Sequence, residues 1–234
     1  MKIIVIIPAY NEEQNIAAVV DDILNYYNQA DICVINDESH DCTKQLLEDR
    51  KIQHLNAPIN LGIGGAVQLG YLYAYAHGYD IAVQCDGDGQ HDAKYIKNIV
   101  QPIINGEADI CIGSRYILKQ GFQSTIMRRI GKSFLCVLIY LCCKYKPSDP
   151  TSGFRAVNKE WIRRYSEDYP QDYPEPEALI QAVLSGARVK EEPVIMRKRE
   201  NGKSSISLLK SVYYMIKVSM SIIICRWRIG KNEH

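Results

Sequence analysis

No apolar run in this chain approaches the about 20 residues that a bilayer-spanning helix requires, so no membrane-crossing segment is expected. The amino terminus, MKIIVIIPAYNEE, is short and turns polar too soon for a secretory signal. None of the eight cysteines pairs with another at zinc-ligand spacing, and several lie in apolar runs. Free, buried thiols in a reducing compartment are therefore expected. Net charge is nearly absent too: 28 Lys and Arg against 27 Asp and Glu leave +1. Such a balance by itself says nothing about partners; no nucleic-acid partner is expected. There is no internal repeat and no low-complexity segment.

Acid is missing locally as well. Residues 110–148 hold seven basic side chains (Arg115, Lys119, Arg128, Arg129, Lys132, Lys144, Lys146) and no acidic one. Residues 197–231 hold nine basic side chains and one acid, Glu200. This asymmetry suits either a basic face meeting an anionic partner or two solvated basic helices.

What is present fits one large domain: 234 residues, 47% of them hydrophobic. Residues 3–7, 31–35, 52–55, 81–85 and 110–112 read as short buried strands. Between them, residues 12–27, 41–50, 64–77 and 93–104 carry helical spacing, with Asp41 as a candidate cap and Gly78 as a stop. Alternation of this kind predicts an α/β fold with a doubly wound, mostly parallel, Rossmann-like sheet. Such sheets bind ligands beyond the carboxyl ends of their strands. Four polar clusters, at residues 10–12, 36–39, 60–65 and 86–91, each follow a strand and are expected to converge there.

The second half is less regular. Residues 133–143 form a short, very apolar helix and residues 206–229 a longer one, with Ser207, Lys210, Tyr214, Lys217 and Ser221 on one face. Broad apolar helices edged by Lys and Arg suit the surface of an anionic membrane. A core helix or a contact between copies of the chain, as in a homo-oligomer, is the alternative. The expected division is a catalytic domain at 1–205 and a C-terminal amphipathic helix at 206–234. The expected place is cytoplasmic, peripheral on the inner face of the cell membrane.

The chemistry centres on Asp86-Gly87-Asp88-Gly89-Gln90-His91. Two carboxylates one residue apart at a strand end can reach one hard cation, and the glycines let a diphosphate approach the backbone. The expected ion is Mg²⁺ or Mn²⁺. Asn60-Leu61-Gly62-Ile63-Gly64-Gly65-Ala66 can offer N–H groups and a helix start to a phosphate, or can be a tight turn. It lacks the Lys-Ser/Thr of a P-loop and the spacing of a dinucleotide fingerprint.

In order, Ile7-Pro8-Ala9-Tyr10-Asn11-Glu12, Val34-Ile35-Asn36-Asp37-Glu38-Ser39, the residue 60–66 loop, the residue 86–91 turn, Gly113-Ser114-Arg115 and Asp149-Pro150-Thr151-Ser152-Gly153-Phe154-Arg155 resemble the family 2 glycosyltransferases of the GT-A fold. The likeness is to the dolichol-phosphate-mannose-synthase-like branch and spans about residues 3–205. It implies an inverting enzyme that moves a sugar from a nucleotide-diphosphate sugar to a polyprenyl phosphate or polyprenyl-linked glycan. It implies donor-nucleotide contacts at Pro8, Tyr10, Glu12, Asp37, Asn60, Gly62, Gly64 and Asp86. The metal falls to Asp86 and Asp88 with help from Gln90, which places Asp88 among the catalytic residues. Arg115, Asp149, Ser152, Gly153 and Arg155 fall on the acceptor side. Gly202-Lys203-Ser204-Ser205 resembles a loop that closes over phosphates. The second motif departs from the family's usual Asp-Asp-Gly-Ser, which weakens Asn36 as a ligand and keeps Asp37. Glu175 is the preferred general base and Glu177 the other candidate; their alternative is to start a helix. An ionised lipid phosphate would need no base. A nucleotidyltransferase is the rival enzyme, but no glycine or basic residue follows the first strand at Pro8-Ala9-Tyr10-Asn11-Glu12-Glu13. A non-catalytic membrane-surface protein is the other rival.

Overall fold

A computed structural model describes residues 1–118, 120–121, 126–198 and 208–230. Lys119, Lys203, Ser204 and the rest of the 202–205 loop lie outside the described residues, as do the side chains of Arg128, Lys210 and Tyr214.

Strand β1 (Ile3–Ala9) is buried along its whole length. Its side chains alternate between faces, as the period of a strand demands. Ile4 and Ile6 enter one core with Cys33, Ile35 and Ala82. Ile3, Val5 and Ile7 enter a second core with Val34, Ile81 and Val83. A strand buried on both faces reads as a continuous apolar run, and each fully buried isoleucine stabilises the fold by about 1.5–3 kcal/mol.

Around β1 stand β2 (Asp31–Asn36), β3 (His54–Asn56) and β4 (Ile81–Gln84), all parallel. Helices α1 (Ile16–Tyr26), α2 (Thr43–Asp49), α3 (Gly62–Ala76) and α4 (Ile96–Ile104) connect them, α4 following a single 3-10 turn at Ala93–Tyr95. Strand β5 (Ile110–Ser114) leads to α5 (Ile126–Cys143). Then come β6 (Arg155–Asn158), α6 (Lys159–Glu167), α7 (Pro174–Leu184), β7 (Val189–Pro193) and α8 (Leu208–Gly230). The sheet order is β3-β2-β1-β4-β6-β5-β7. Only β6 runs against its neighbours, antiparallel to both β4 and β5.

Several expected boundaries move. The helix expected from residue 12 begins at Ile16, because residues 11–15 make the turn out of β1, with Asn15 and Ile16 N–H both donating to the Glu12 carbonyl at 2.9 Å. Asp41 holds the start of α2 through Thr43 N–H at 2.9 Å, one residue before the cap position, Cys42. Helix α5 starts at Ile126, seven residues before the expected start. Strands β6 and β7 and helix α6 are not among the expected elements; their segments are short and partly polar, and β6 is four residues long. Helix α7 begins at Pro174, with Glu175 and Glu177 in its first turn as the alternative reading has it.

The long helix α8 packs against α7 and α5. Val218, Ile222 and Cys225 are buried in the first core. Two residues of its polar face meet the α7 region: Lys217 pairs with Asp172, and the Ser221 hydroxyl donates to Glu177.

Candidate active site

The four strand-end clusters converge. A cleft of about 430 Å³ is lined by Pro8, Ala9 and Tyr10 after β1, Asp37 after β2, Asn60, Gly62 and Ile63 before and within α3, and Asp86, Gly87 and Asp88 after β4; Glu12 and Ala66 complete it. The parallel register brings these ends together, since β1 pairs with β2 on one side and β4 on the other.

The nucleoside end is built on Asp37. Its side chain is buried, and Oδ1 accepts from Leu61 N–H at 2.7 Å. Burial raises its carboxyl above the usual range, while the N–H groups of Leu61 and Gly62 pull it back. Glu38 occupies the position where the family pattern has glycine, with φ +56°. This left-handed conformation costs a non-glycine residue on the order of 1 kcal/mol. The glutamate takes up a loop-holding role: its Oε2 accepts from Asn60 N–H at 2.7 Å. Asn36 is buried and bonded to Asn56 at 2.7 Å. Tyr10 stays exposed beside the His40 ring, edge-on at 6.4 Å.

At the other end, Asp86 and Asp88 face one space. Asp88 Oδ1 accepts from Gln90 N–H at 3.0 Å, which closes the turn. Gln90 enters this geometry through its backbone, and its carbonyl accepts from Arg197 N–H at 2.8 Å. Arg197 in turn bridges Asp22 and Asp92, at 2.9 Å each. Asp86 N–H donates to His91 Nδ1 at 3.0 Å, and His91 stacks on Phe154. His91 sits in the motif by sequence, but only its packing reveals that it holds the Asp86 backbone. Gly153 is required here for space. A Cβ at 153 would lie 3.0 Å from Gln84 Nε2 and 3.1 Å from Asp86 Oδ2.

The acceptor-side residues divide. Arg115 makes a bidentate pair with buried Asp149, at 2.6 and 2.8 Å, and also donates to Thr151. Asp149 N–H and Ser148 N–H both donate to Glu191, which the sequence did not single out. The Ser152 hydroxyl is buried and donates to the Gly113 carbonyl at 2.7 Å. Arg155 is fully buried and opens onto no acceptor surface.

Two more assignments are corrected. Gly64 does not line the cleft; a Cβ there would lie 2.2 Å from the Pro170 and Gln171 carbonyl oxygens, so this glycine lets α3 pack on that segment. Glu177 faces α8 through Ser221 and is turned from the cleft. Two residues earlier on the helix, Glu175 lies within electrostatic reach of Asp86 and Arg115. Burial pushes its carboxyl up to about 7, the Arg155 guanidinium pulls it down and the Asp86 charge pushes it up.

A sheet of this order, with an Asp-x-Asp turn ending the β4 connection above a nucleotide-sized cleft, defines a GT-A glycosyltransferase. The chain belongs to glycosyl transferase family 2, whose sequence profile matches residues 4–166. Its relatives place it in the dolichol-phosphate-mannose-synthase-like branch. One is the UDP-N-acetylglucosamine–dolichyl-phosphate N-acetylglucosaminyltransferase of Methanococcus voltae, 32% identical over 82% of this chain and 84% of the relative. Another is the undecaprenyl-phosphate mannosyltransferase of Micrococcus luteus, 24% identical over 88% of each chain. Among solved structures, glucosyl-3-phosphoglycerate synthase from Mycobacterium tuberculosis, in complex with Mn²⁺, UDP and glucosyl-3-phosphoglycerate, shares the fold. It has a TM-score of 0.71 at 20% identity and covers 96% of this chain and 79% of its own.

Proposed function

We propose that this glycosyltransferase moves a sugar, with inversion, from a nucleotide-diphosphate sugar to a polyprenyl phosphate. The observation that carries the reading is the convergence of Asp37, Asp86 and Asp88 on one cleft. The relatives named for dolichyl- and undecaprenyl-phosphate acceptors support the acceptor class.

Asp86 and Asp88 suit a hard divalent cation, Mg²⁺ or Mn²⁺. Such ions are commonly held by one or two carboxylates plus substrate phosphates. Among the described residues no group of three or more His, Cys, Asp or Glu forms a complete cage. The donor's diphosphate and water would supply the remaining ligands. When bound, the cation supplies Lewis-acid stabilisation to the leaving nucleoside diphosphate. Tyr10 offers a ring face to the base and Asp37 a carboxylate edge. Glu175 is the proton acceptor. A phosphate monoester has a second pKa of about 6, so Glu175, its carboxyl raised to about 7, serves the fraction of acceptor that arrives as the monoanion, while the dianion needs no base. The phosphate headgroup is received by exposed basic side chains of the acid-free 110–148 segment, such as Arg129, since Arg115 is committed to Asp149.

The proposal extends to where the chain works: the cytoplasmic face of a membrane, held peripherally. Helix α5 turns Ile130, Phe134, Val137 and Leu141 to solvent, and α8 turns Ile216, Met220, Ile223, Ile224 and Trp227 out. Exposed Lys144, Lys146, Arg226 and Arg228 flank them. Among the described residues no helix is long and apolar enough to cross a membrane. Lying on an anionic surface uses both features. Flotation with anionic and neutral liposomes tests this; equal partition into both, unchanged by Trp227→Ser, would overturn it.

The enzymatic test is a panel of nucleotide sugars with Mn²⁺ and a short polyprenyl phosphate in micelles. Sugar should enter the lipid phase as nucleoside diphosphate is released. Release that persists undiminished in Asp88→Ala would sink the site assignment.

A further inference from the structure

Arg155 is the largest fully buried side chain among the described residues. Taking a guanidinium out of water costs several kcal/mol unless its donors are met. Its donors are met by two backbone carbonyls. Nε and Nη2 donate to Ser152 O at 3.3 and 2.7 Å, and Nη1 and Nη2 donate to Glu175 O at 3.4 Å each. Among the described residues no carboxylate hydrogen-bonds it. A buried positive charge held only by carbonyls acts on nearby carboxylates across space.

The two carbonyls belong to different arms of the site. Ser152 precedes Gly153, whose backbone packs on the Asp86 carboxylate. Glu175 begins α7. Behind them, Gln84 is fully buried; its Nε2 donates to Asp86 Oδ1 at 3.5 Å and its Oε1 accepts from the Tyr169 hydroxyl at 3.4 Å. The Tyr71, Tyr165 and Tyr169 rings, 5.0–5.5 Å apart, enclose this region.

We propose that Arg155 is a positioning residue: its buried guanidinium staples the Ser152–Gly153 turn, which seats Asp86, to the first turn of α7, which carries Glu175, and so fixes the donor carboxylate and the proton acceptor relative to each other. This rests on the reading of Asp86 and Glu175 as site residues. The staple explains a fully buried arginine at the end of a chemistry-bearing motif. The charged and titratable groups around Glu175 are Arg155 from β6, Arg115 after β5, Asp86 after β4, Tyr71 from α3, and Tyr169 before α7. Arg155 is the stronger of the two cations acting on it, so removing Arg155 raises the Glu175 carboxyl further.

The test reads both arms on the full chain. Mn²⁺ alone, followed by its EPR signal, probes Asp86. A ¹³C-carboxyl NMR titration, assigned with Glu175→Gln, probes Glu175. Arg155→Lys keeps the charge and fits the space but cannot bridge both carbonyls; Arg155→Met removes the charge. The expected result is a loss of about tenfold in Mn²⁺ affinity, the size seen when groups behind a metal ligand are removed. A rise in the Glu175 midpoint should accompany it, larger for Met than for Lys. A residue that only stabilises the fold would lower the melting temperature and leave the Glu175 midpoint in place. A folded Arg155 variant with either arm unmoved overturns the proposal. Gly153→Ala loads the same turn from the Asp86 end and covers the case in which no Arg155 variant folds. It shifts the Glu175 titration if the staple transmits, and an unmoved titration overturns the proposal. Loss of the metal-site reading looks different: Mn²⁺ binding would then be indifferent to Asp88→Ala.

Discussion

The β3-β2-β1-β4 half of the sheet and the β6-β5-β7 half meet the same ligands on different terms. In the first half every strand is parallel, and its connections bring carboxylates to the strand ends, Asp37 buried and Asp86 and Asp88 half-buried. Asp86 keeps 36% of its side chain open, and Asp37 spends one oxygen on a backbone N–H at the cleft floor. In the second half β6 reverses, and its charges are buried or neutralised: Arg155 on carbonyls, Arg115 on Asp149, Glu191 on the amides of Ser148 and Asp149. The outer helices of that half show apolar side chains to solvent. One half presents charge for a diphosphate. The other uses charge to hold its own loops, and its outer helices leave apolar side chains at the surface.

Five substitutions break or sharpen that contrast. The largest effect belongs to the open half. Asp88→Ala should lower kcat/KM by at least about 100-fold, since the metal's charge stabilisation is worth several kcal/mol, while thermal stability stays near that of the parent.

Next is the pair on α7. Glu175→Gln should lower kcat by about 100-fold, the lower range for a lost proton acceptor. The sign of the pH effect follows from the raised carboxyl. The base is ionised above about 7 and protonated below it, so kcat/KM should fall as pH drops through that value. The limb should vanish in Glu175→Gln. Glu177→Gln should leave both rate and profile near the parent, because its side chain bonds Ser221 on α8. A pH–rate series on all three chains decides it. If Glu177→Gln is the damaging change, the assignment on this helix is reversed.

Gly153→Ala should be smaller, about tenfold in metal affinity. The new methyl presses on Gln84 and Asp86, and Mn²⁺ titration against the parent shows whether Asp86 is displaced. Tyr71→Phe should be smallest and opposite in sign. The Tyr71 hydroxyl is the one buried side-chain polar atom without a hydrogen-bond partner among the described residues. Removing it should stabilise the fold by about 1 kcal/mol in urea unfolding, because an unmet buried donor carries a desolvation cost.

The same division governs how much could be read from the sequence. The strands of the first half are runs such as Ile3-Ile4-Val5-Ile6-Ile7, buried on both faces, and each hands over to a polar motif a residue or two later. Spacing along the chain was therefore enough to place Asp37, Asp86 and Asp88 at one end of the sheet. Glu38 was read as a mere departure from pattern, yet it anchors Asn60, 22 residues away. In the second half β6 and β7 are short, and β7 carries Lys190, Glu191 and Glu192, so no apolar run announces it. Arg155 looked like a phosphate ligand because arginine in a motif usually is one. Its burial depends on β4 and β5 closing on either side.

By itself, the sequence determined the α/β class, the order of the strand-end motifs and the carboxylates that line the cleft. Each of these rests on periodicity or on neighbours within a few residues. Tertiary structure alone decided that Glu177 bonds α8, why residue 64 is glycine, that Arg155 is buried on two backbone carbonyls, and that Ser221 of α8 meets α7. These depend on groups brought together from 20 to more than 100 residues apart, and no local pattern encodes which side chain a distant element will meet.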